Sequence, residues 1–244
     1  MNKEEFVNEL NELGISCDES KILLLEKYYN LLLEWNNFMN LTAITDKDTV
    51  YLKHFYDSLT ICKIVNMNKI VSVCDVGTGA GFPGIVLKIF FPHIKLFLLD
   101  SLEKRIKFLN EVVSKLNLDN VYTIHSRAED YGRIHREEFD LVTARAVSSF
   151  NILLEYCIPM VKENSYFLAM RGNDDSSSAE GALKLLDSSV SKKLSFNLPN
   201  DSGVRTLILI KKHSKTDLKY PRKNSLIKKK PLWFYWLISN NITN

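Results

Sequence analysis

An acidic residue, Asp75, sits inside the apolar run Val73-Cys74-Asp75-Val76, and the stretch Gly77-Thr78-Gly79-Ala80-Gly81-Phe82-Pro83-Gly84 follows at once. Glycine lacks a Cβ, so such a turn admits otherwise strained dihedrals and lets a ligand lie against its backbone. The apolar segment from Ile85 to Phe91 can begin a helix, whose free N–H groups and positive partial charge suit an anionic group. About twenty residues further on, Asp100 ends a second apolar run, Lys95 to Leu99, where an acidic side chain can bind both hydroxyls of a ribose. This set of residues fits a nucleoside-containing cofactor on an open α/β sheet.

A G-x-G-x-x-G pattern alone serves NAD as well. Three details favour S-adenosylmethionine. Asp75 stands two residues before Gly77, where dinucleotide folds keep the strand end apolar against an anionic pyrophosphate. A carboxylate there suits a ligand carrying an ammonium and a sulfonium. The spacing of Gly77, Gly79, Gly81 and Gly84 resembles the first motif of class I methyltransferases. Ser126-Arg127-Ala128-Glu129 follows a third strand, where those enzymes place residues near the adenine. The competing reading is a tight turn that binds nothing, and it leaves Asp75, the glycines and Asp100 to coincide by chance. Asp100 has a competing role of its own. With Ser101 and Glu103 it supplies a start signal for a helix over 102–117.

Several methyl-acceptor chemistries leave local marks that are missing. Exocyclic-amine methylation uses Asn or Asp followed by Pro-Pro and an aromatic after the fourth strand; here that position reads Thr143-Ala144-Arg145-Ala146. Methylation at pyrimidine carbon five needs a cysteine nucleophile, commonly after Pro, and no Pro-Cys occurs. What remains is cationic: Arg145, at the carboxyl end of the fourth strand, where open α/β sheets place ligands. A ring nitrogen such as guanine N7 carries a lone pair and has no proton to lose, so positioning and water exclusion suffice.

These residues need a scaffold. Residues 3–13, 20–39 and 48–66 show helical periodicity, with Leu24, Tyr28, Leu31, Leu32 and Trp35 as one apolar face. They make a helical cap, 1–66, packed on the main domain with no linker between. From residue 70 strands (70–76, 95–100, 121–126, 139–145, 165–170, 191–197, 204–212) alternate with helices (84–91, 102–117, 149–161, 177–188). That order predicts a parallel sheet over 67–213, ending in a hairpin through Leu198 to Gly203. The chain of 244 residues, 45% hydrophobic and 25% charged, has material for a full core. No apolar run approaches the ~20 residues of a membrane span, which indicates a cytoplasmic protein. Cys17, Cys62, Cys74 and Cys157 form no Cys-x-x-Cys pair and read as reduced, and the histidines show no ligand spacing, so no metal is expected.

The net charge of +3 hides an asymmetry. From Lys211 to Lys230, nine basic residues stand against Asp217 alone; that segment is +8, leaving about −5 elsewhere. A basic tail, 214–244, on a mildly acidic body points to a polyanion, with RNA contact by Arg222, Lys223, Lys228, Lys229 and Lys230. The alternative is a solvated tail.

The ordered motifs resemble one known family. Asn40-Leu41-Thr42-Ala43-Ile44, His54-Phe55-Tyr56-Asp57-Ser58-Leu59, the Asp75–Gly84 stretch, Leu99-Asp100-Ser101 with Lys104-Arg105, Arg127-Ala128-Glu129, Phe139-Asp140 with Ala144-Arg145-Ala146, and Tyr220-Pro221-Arg222-Lys223 with Lys230-Pro231-Leu232 all look like RsmG, also called GidB. That family makes 7-methylguanosine in bacterial small-subunit ribosomal RNA. The resemblance implies an α/β class I (Rossmann-like) methyltransferase fold: a seven-stranded, mostly parallel sheet with helices on both faces and the N-terminal cap. It implies that S-adenosyl-L-methionine is bound by Gly77, Gly79, Phe82, Asp100, Ala128, Glu129 and Arg145, with Asp100 on the ribose and Glu129 accepting from the adenine amine. Arg145 would reach the cofactor or the target guanine. His54 and Asp57 would face the cleft or fix the cap on the sheet. The partner is small-subunit ribosomal RNA or the subunit itself, and the protein is expected to be monomeric. A non-catalytic RNA-binding or assembly role is the alternative, weakened by the intact glycine loop, Asp100 and Arg145. A small-molecule methyltransferase would leave the basic tail without a purpose.

Two departures matter. The family ends its fifth strand with Lys-Gly, whereas this chain has Arg171-Gly172, which keeps charge for a phosphate but changes geometry. After Tyr220-Pro221-Arg222-Lys223 the family's tail commonly carries Gly and Pro, whereas this chain has Asn224-Ser225-Leu226-Ile227 and continues past Leu232 into Trp233-Phe234-Tyr235-Trp236-Leu237-Ile238, aromatics that either stack on bases or, more commonly, pack on the protein.

Overall fold

The computed structural model describes residues 1–232 except 146 and 175, and leaves the side chains of 177 and 178 undescribed. Trp233 to Ile238, and Ala146 of the fourth-strand motif, lie outside the described residues.

The chain opens with α1 (Lys3–Glu12) and α2 (Glu19–Met39). Asn2 and Glu5 make a reciprocal capping box at the start of α1, and Asp18 caps α2 by accepting from Lys21 N–H. A third helical run holds α3 (Lys47–Val50), a π-helical turn Tyr51–Tyr56, α4 (Asp57–Leu59) and a 3-10 turn Thr60–Lys63. The buried face of α2 is Leu25, Tyr28 and Leu32, with Leu24, Leu31 and Trp35 flanking it half-buried.

Then strands and helices alternate: β1 (Ser72–Val76), α5 (Gly84–Phe90), β2 (Lys95–Asp100), α6 (Glu103–Lys115), β3 (Val121–His125), α7 (Ala128–Ile134), β4 (Phe139–Arg145), α8 (Phe150–Cys157), β5 (Val161–Arg171), α9 (Glu180–Leu185), β6 (Ser188–Asn197), β7 (Val204–Lys212) and α10 (Asn224–Lys229). The sheet order is β3-β2-β1-β4-β5-β7-β6, and β7 alone runs against the direction of the other six strands. The chain thus has the expected class I methyltransferase architecture, and the order reverses between β1 and β4.

Successive strand side chains point to opposite faces, so the sheet divides the interior into two layers. Val73, Leu98, Leu141, Leu168 and Leu209 join one layer with α5, α6 and the N-terminal helices. Cys74, Leu99, Val142, Phe167 and Ile210 join the other with α7, α8, α9 and α10. The N-terminal helices therefore share a core with the sheet. No helix among the described residues is long and apolar enough to cross a membrane.

Some boundaries differ from expectation. Strand β5 starts at Val161, because pairing continues through Asn164 at φ 61 and past a register shift opposite Phe139/Leu141. The helix expected over 149–161 gives way at Cys157 to a 3-10 turn containing Pro159. The N-cap of α6 is Leu102. Asp100 is the last residue of β2, although its carboxylate accepts from Leu102 N–H.

Candidate active site

The glycine turn leaves β1 above Asp75. Strand alternation puts Asp75 on the face of Val73, beneath the turn, where it is fully buried. Its Oδ2 accepts from the Thr78 hydroxyl at 2.7 Å and the Gly84 N–H at 2.9 Å. A Cβ on Gly84 would fall 2.5 Å from Leu98 and 2.9 Å from the Asp75 carboxylate, so only glycine lets the helix start come this close. Burial pushes the Asp75 carboxyl up to about 6. The expectation that Asp75 faces a cationic ligand is corrected: it is a brace behind the turn.

In front of the turn lies a cavity of about 570 Å³ at the carboxyl ends of β1, β2 and β4, at the point where strand order reverses. Gly77, Gly79, Phe82, Asp100, Ala128, Glu129 and Arg145 all line it. Gly79 has φ +63, a conformation an L side chain rarely adopts, and its N–H donates 3.0 Å to Asp100 Oδ2. Asp100, 3% exposed, also accepts from Leu102 N–H at 2.9 Å and Arg105 Nη1 at 3.0 Å. A carboxylate offers about four acceptor positions, so room remains for a further donor. Asp100 braces the turn and the approach to α6, where Leu102 holds the N-cap position expected of it, and it lines the cavity.

At the start of α7, Glu129 is 3% exposed, and its Oε1 has no hydrogen-bond partner among the described residues. A buried carboxylate oxygen without a donor is costly, and a ligand amine at this wall would relieve it.

On the opposite wall Phe82 carries two neighbours that also touch each other, with Arg145 Nη2 3.4 Å from His54 Nδ1. The His54 imidazole stacks on it with centroids 4.5 Å apart, and Arg145 Cζ lies 5.2 Å from its ring centroid. Arg145 Nη1 donates to Asp57 Oδ2 and to the Lys53 carbonyl, each at 3.2 Å. Arg205 Nε reaches Asp57 Oδ1 at 3.0 Å. One buried carboxylate thus ties β4 and β7 to α4. Burial, then the Arg145 charge, pull the His54 imidazole down to about 4, so the ring is neutral. Its Nδ1 meets the Lys53 carbonyl at 3.1 Å and Arg145 Nη2 at 3.4 Å, and its Nε2 meets the Thr42 hydroxyl at 3.0 Å. Of the two alternatives, Asp57 takes the clamp, fixing the N-terminal helices to the sheet without lining the cavity, and His54 lines the cavity.

The basic residues divide. Arg171 donates to the Ser148 carbonyl beside the cavity. Arg222 is committed to Glu155, fully buried, through Nε at 2.8 Å and Nη2 at 2.6 Å. The geometry gives it an anchoring role in place of the expected phosphate contact. Lys223, Lys228, Lys229 and Lys230 are exposed and make no ion pair among the described residues; Lys228 also lines the cavity. Tyr156 and Asn224 line it too; no sequence signal marks Tyr156, and Asn224 stands out only as a departure from the family's tail. Arg205 was equally hidden, since its partner Asp57 lies 148 residues away.

A family model described as rRNA small subunit methyltransferase G (GidB) matches residues 21–205. This chain belongs to that family. Members named ribosomal RNA small subunit methyltransferase G include one from Staphylococcus carnosus, 45% identical over 238 residues, covering 95% of this chain and 99% of the relative. Another from Oceanobacillus iheyensis is 45% identical over 237 residues, covering 95% and 100%. Among solved structures, a SAM dependent methyltransferase from Aquifex aeolicus superposes with a TM-score of 0.50 at 19% identity, covering 68% of this chain and 93% of that one. The Pyrococcus horikoshii protein TYW2 in complex with MeSAdo gives 0.51 at 12%, covering 64% and 61%. These two likenesses speak for the fold alone.

Proposed function

We propose that this protein is an S-adenosylmethionine-dependent methyltransferase that modifies a guanine N7 in small-subunit ribosomal RNA. Family membership supports the reaction and the RNA. The observation that carries the cofactor is the unpartnered Glu129 oxygen on the same cavity as Asp100 and the glycine turn. Asp100 would hold the ribose hydroxyls, Glu129 the adenine amine, and Gly77, Gly79 and Phe82 the methionine side. When bound, S-adenosylmethionine supplies a methyl group on a cationic sulfur, which a ring-nitrogen lone pair can accept without proton transfer.

The chain's own residues need no general base for this. Neutral His54 and the enclosed Asp75 carboxyl are both engaged in hydrogen bonds, and neither is required to take a proton. The chain contributes a fixed wall: Asp57 offsets the Arg145 charge, and His54 stacks on the buried Phe82. Arg145 stands where it can orient the guanine. Positioning of this kind supplies several kcal/mol, up to about 7–11 in favourable cases.

In this reading residues 1–66 cap the domain, 67–213 carry the chemistry, and the exposed lysines of 214–244 meet RNA. The protein acts as a cytoplasmic monomer, which light scattering would check. The deciding experiment is transfer of label from S-adenosylmethionine to small subunits lacking the modification, with naked ribosomal RNA alongside, followed by nucleoside analysis. Label in 7-methylguanosine is expected. Label in another nucleoside overturns the N7 assignment, and cofactor binding without transfer to either acceptor favours the assembly role.

A further inference from the structure

The basic C-terminal segment is built into the molecule. Arg136 Nη1 donates to the Tyr220 carbonyl at 2.6 Å, and Arg133 Nε to the Pro221 carbonyl at 3.1 Å. Arg222 grips Glu155, and Ile227 and Leu232 are buried in the layer formed with α8. These contacts set α10 along the rim of the cavity described above.

Asn224 and Lys228, four residues apart, share one side of α10, and both line that cavity. The Tyr156 hydroxyl donates to Asn224 Oδ1 at 2.9 Å. This orients the amide and leaves the Nδ2 hydrogens without a partner among the described residues. The wall therefore presents a buried acceptor without a partner among the described residues, Glu129 Oε1, and, on the half-buried Asn224, a donor left free by the Tyr156 bond, Nδ2. Adenine offers the complement, with an exocyclic amine that donates and ring nitrogens that accept. On the other side, Lys223, Lys229 and Lys230 are exposed.

We propose that α10 is a wall of the cofactor site, its Asn224 amide donating to a ring nitrogen of the adenine, so that the basic segment holds cofactor inside as well as RNA outside. The proposal rests on the assignment of the cavity to S-adenosylmethionine. One consequence is linkage: whatever cofactor adds to RNA affinity through α10, RNA adds to cofactor affinity by the same factor.

The test is calorimetric titration of the full chain with S-adenosylhomocysteine in the absence of RNA. Asn224→Ala is expected to weaken binding about three- to tenfold, the usual effect of one lost hydrogen bond. Asn224→Asp, which keeps an acceptor for Tyr156 and removes the donors, should weaken it at least as much while melting like the parent without ligand. Lys229→Ala with Lys230→Ala should lower affinity for small-subunit RNA and leave S-adenosylhomocysteine binding at the parental value. Parental affinity in both Asn224 variants overturns the proposal and leaves α10 an RNA element only. Failure of the unaltered chain to bind S-adenosylhomocysteine would instead overturn the cofactor assignment itself.

Discussion

Asp57→Ala removes a single carboxylate that serves two arginines. The Asp57 side chain is 4% exposed, against 17% for Arg145 and 22% for Arg205. Deleting one partner of a buried ion pair costs about 3–5 kcal/mol, because the remaining charge stays desolvated. Both guanidinium groups keep some access to water, which places the loss at the lower end, about 3 kcal/mol. For a chain of this size that is a fall of about 6–12 °C in Tm. Asp57→Asn keeps one acceptor oxygen for two donors and should lose about 1–2 kcal/mol. Arg145 also leaves its place over Phe82 once its anion is gone, so turnover falls along with stability. The assay is thermal melting of the ligand-free chain, paired with methyl transfer at a temperature where each variant is folded. A shift under about 2 °C for Asp57→Ala would refute the clamp. If turnover were lost at that small shift, Asp57 would belong to the reaction.

Asp100→Ala should weaken S-adenosylhomocysteine binding by about 1–3 kcal/mol, read by calorimetry, and unchanged affinity would leave Asp100 only its braces to Gly79 and Leu102. The imidazole of His54 titrates lower in the fold, at about 4, than in the unfolded chain, so the unfolded state binds the extra proton in between. Its contribution is present above about pH 6.5 and lost as pH falls toward 4; denaturant titrations should show the parent losing more stability than His54→Gln across that window, and parallel curves would count against it. Glu155→Ala strands Arg222 and should release the segment after β7, seen as protease cleavage between residues 213 and 232 while the sheet stays resistant. Cleavage no faster than in the parent would mean that Ile227 and Leu232 hold the segment unaided.

The sheet was legible because its strands are apolar runs bounded by turn residues. The polar edge strand β6 was instead readable from its place before the hairpin, through Leu198 to Gly203, that joins it to β7. Helix α7 escaped because it is seven residues long and polar on most of its surface, too short for periodicity to show. At the cavity, the residues that abut the glycine turn or end a strand could be placed, since local spacing fixes both. Arg205, Tyr156 and Asn224 could not, because each acts through a partner distant in sequence. Charge misled in two places. Asp75 was read as facing a ligand, yet strand alternation hides it beneath the turn. Arg222 was read with its neighbouring lysines, yet Glu155, an acid in an otherwise apolar helix, claims it.

The π-helical turn at Tyr51–Tyr56 makes chain length itself part of the site. A π turn holds one more residue than an α turn, and each α-helical residue turns about 100° about the axis. Because a π turn spends that extra residue on about the same rotation, dropping one residue here would return the run to α geometry with Asp57 still facing both arginines, whereas adding one would swing Asp57 by about 100° away from them. Asp46, which caps α3, fixes where the run begins, and Asp57 must arrive on the sheet side eleven positions later. The stretch between these two aspartates therefore has room to lose one residue by unwinding the π turn and none to gain one, so drift in its length should run in one direction only.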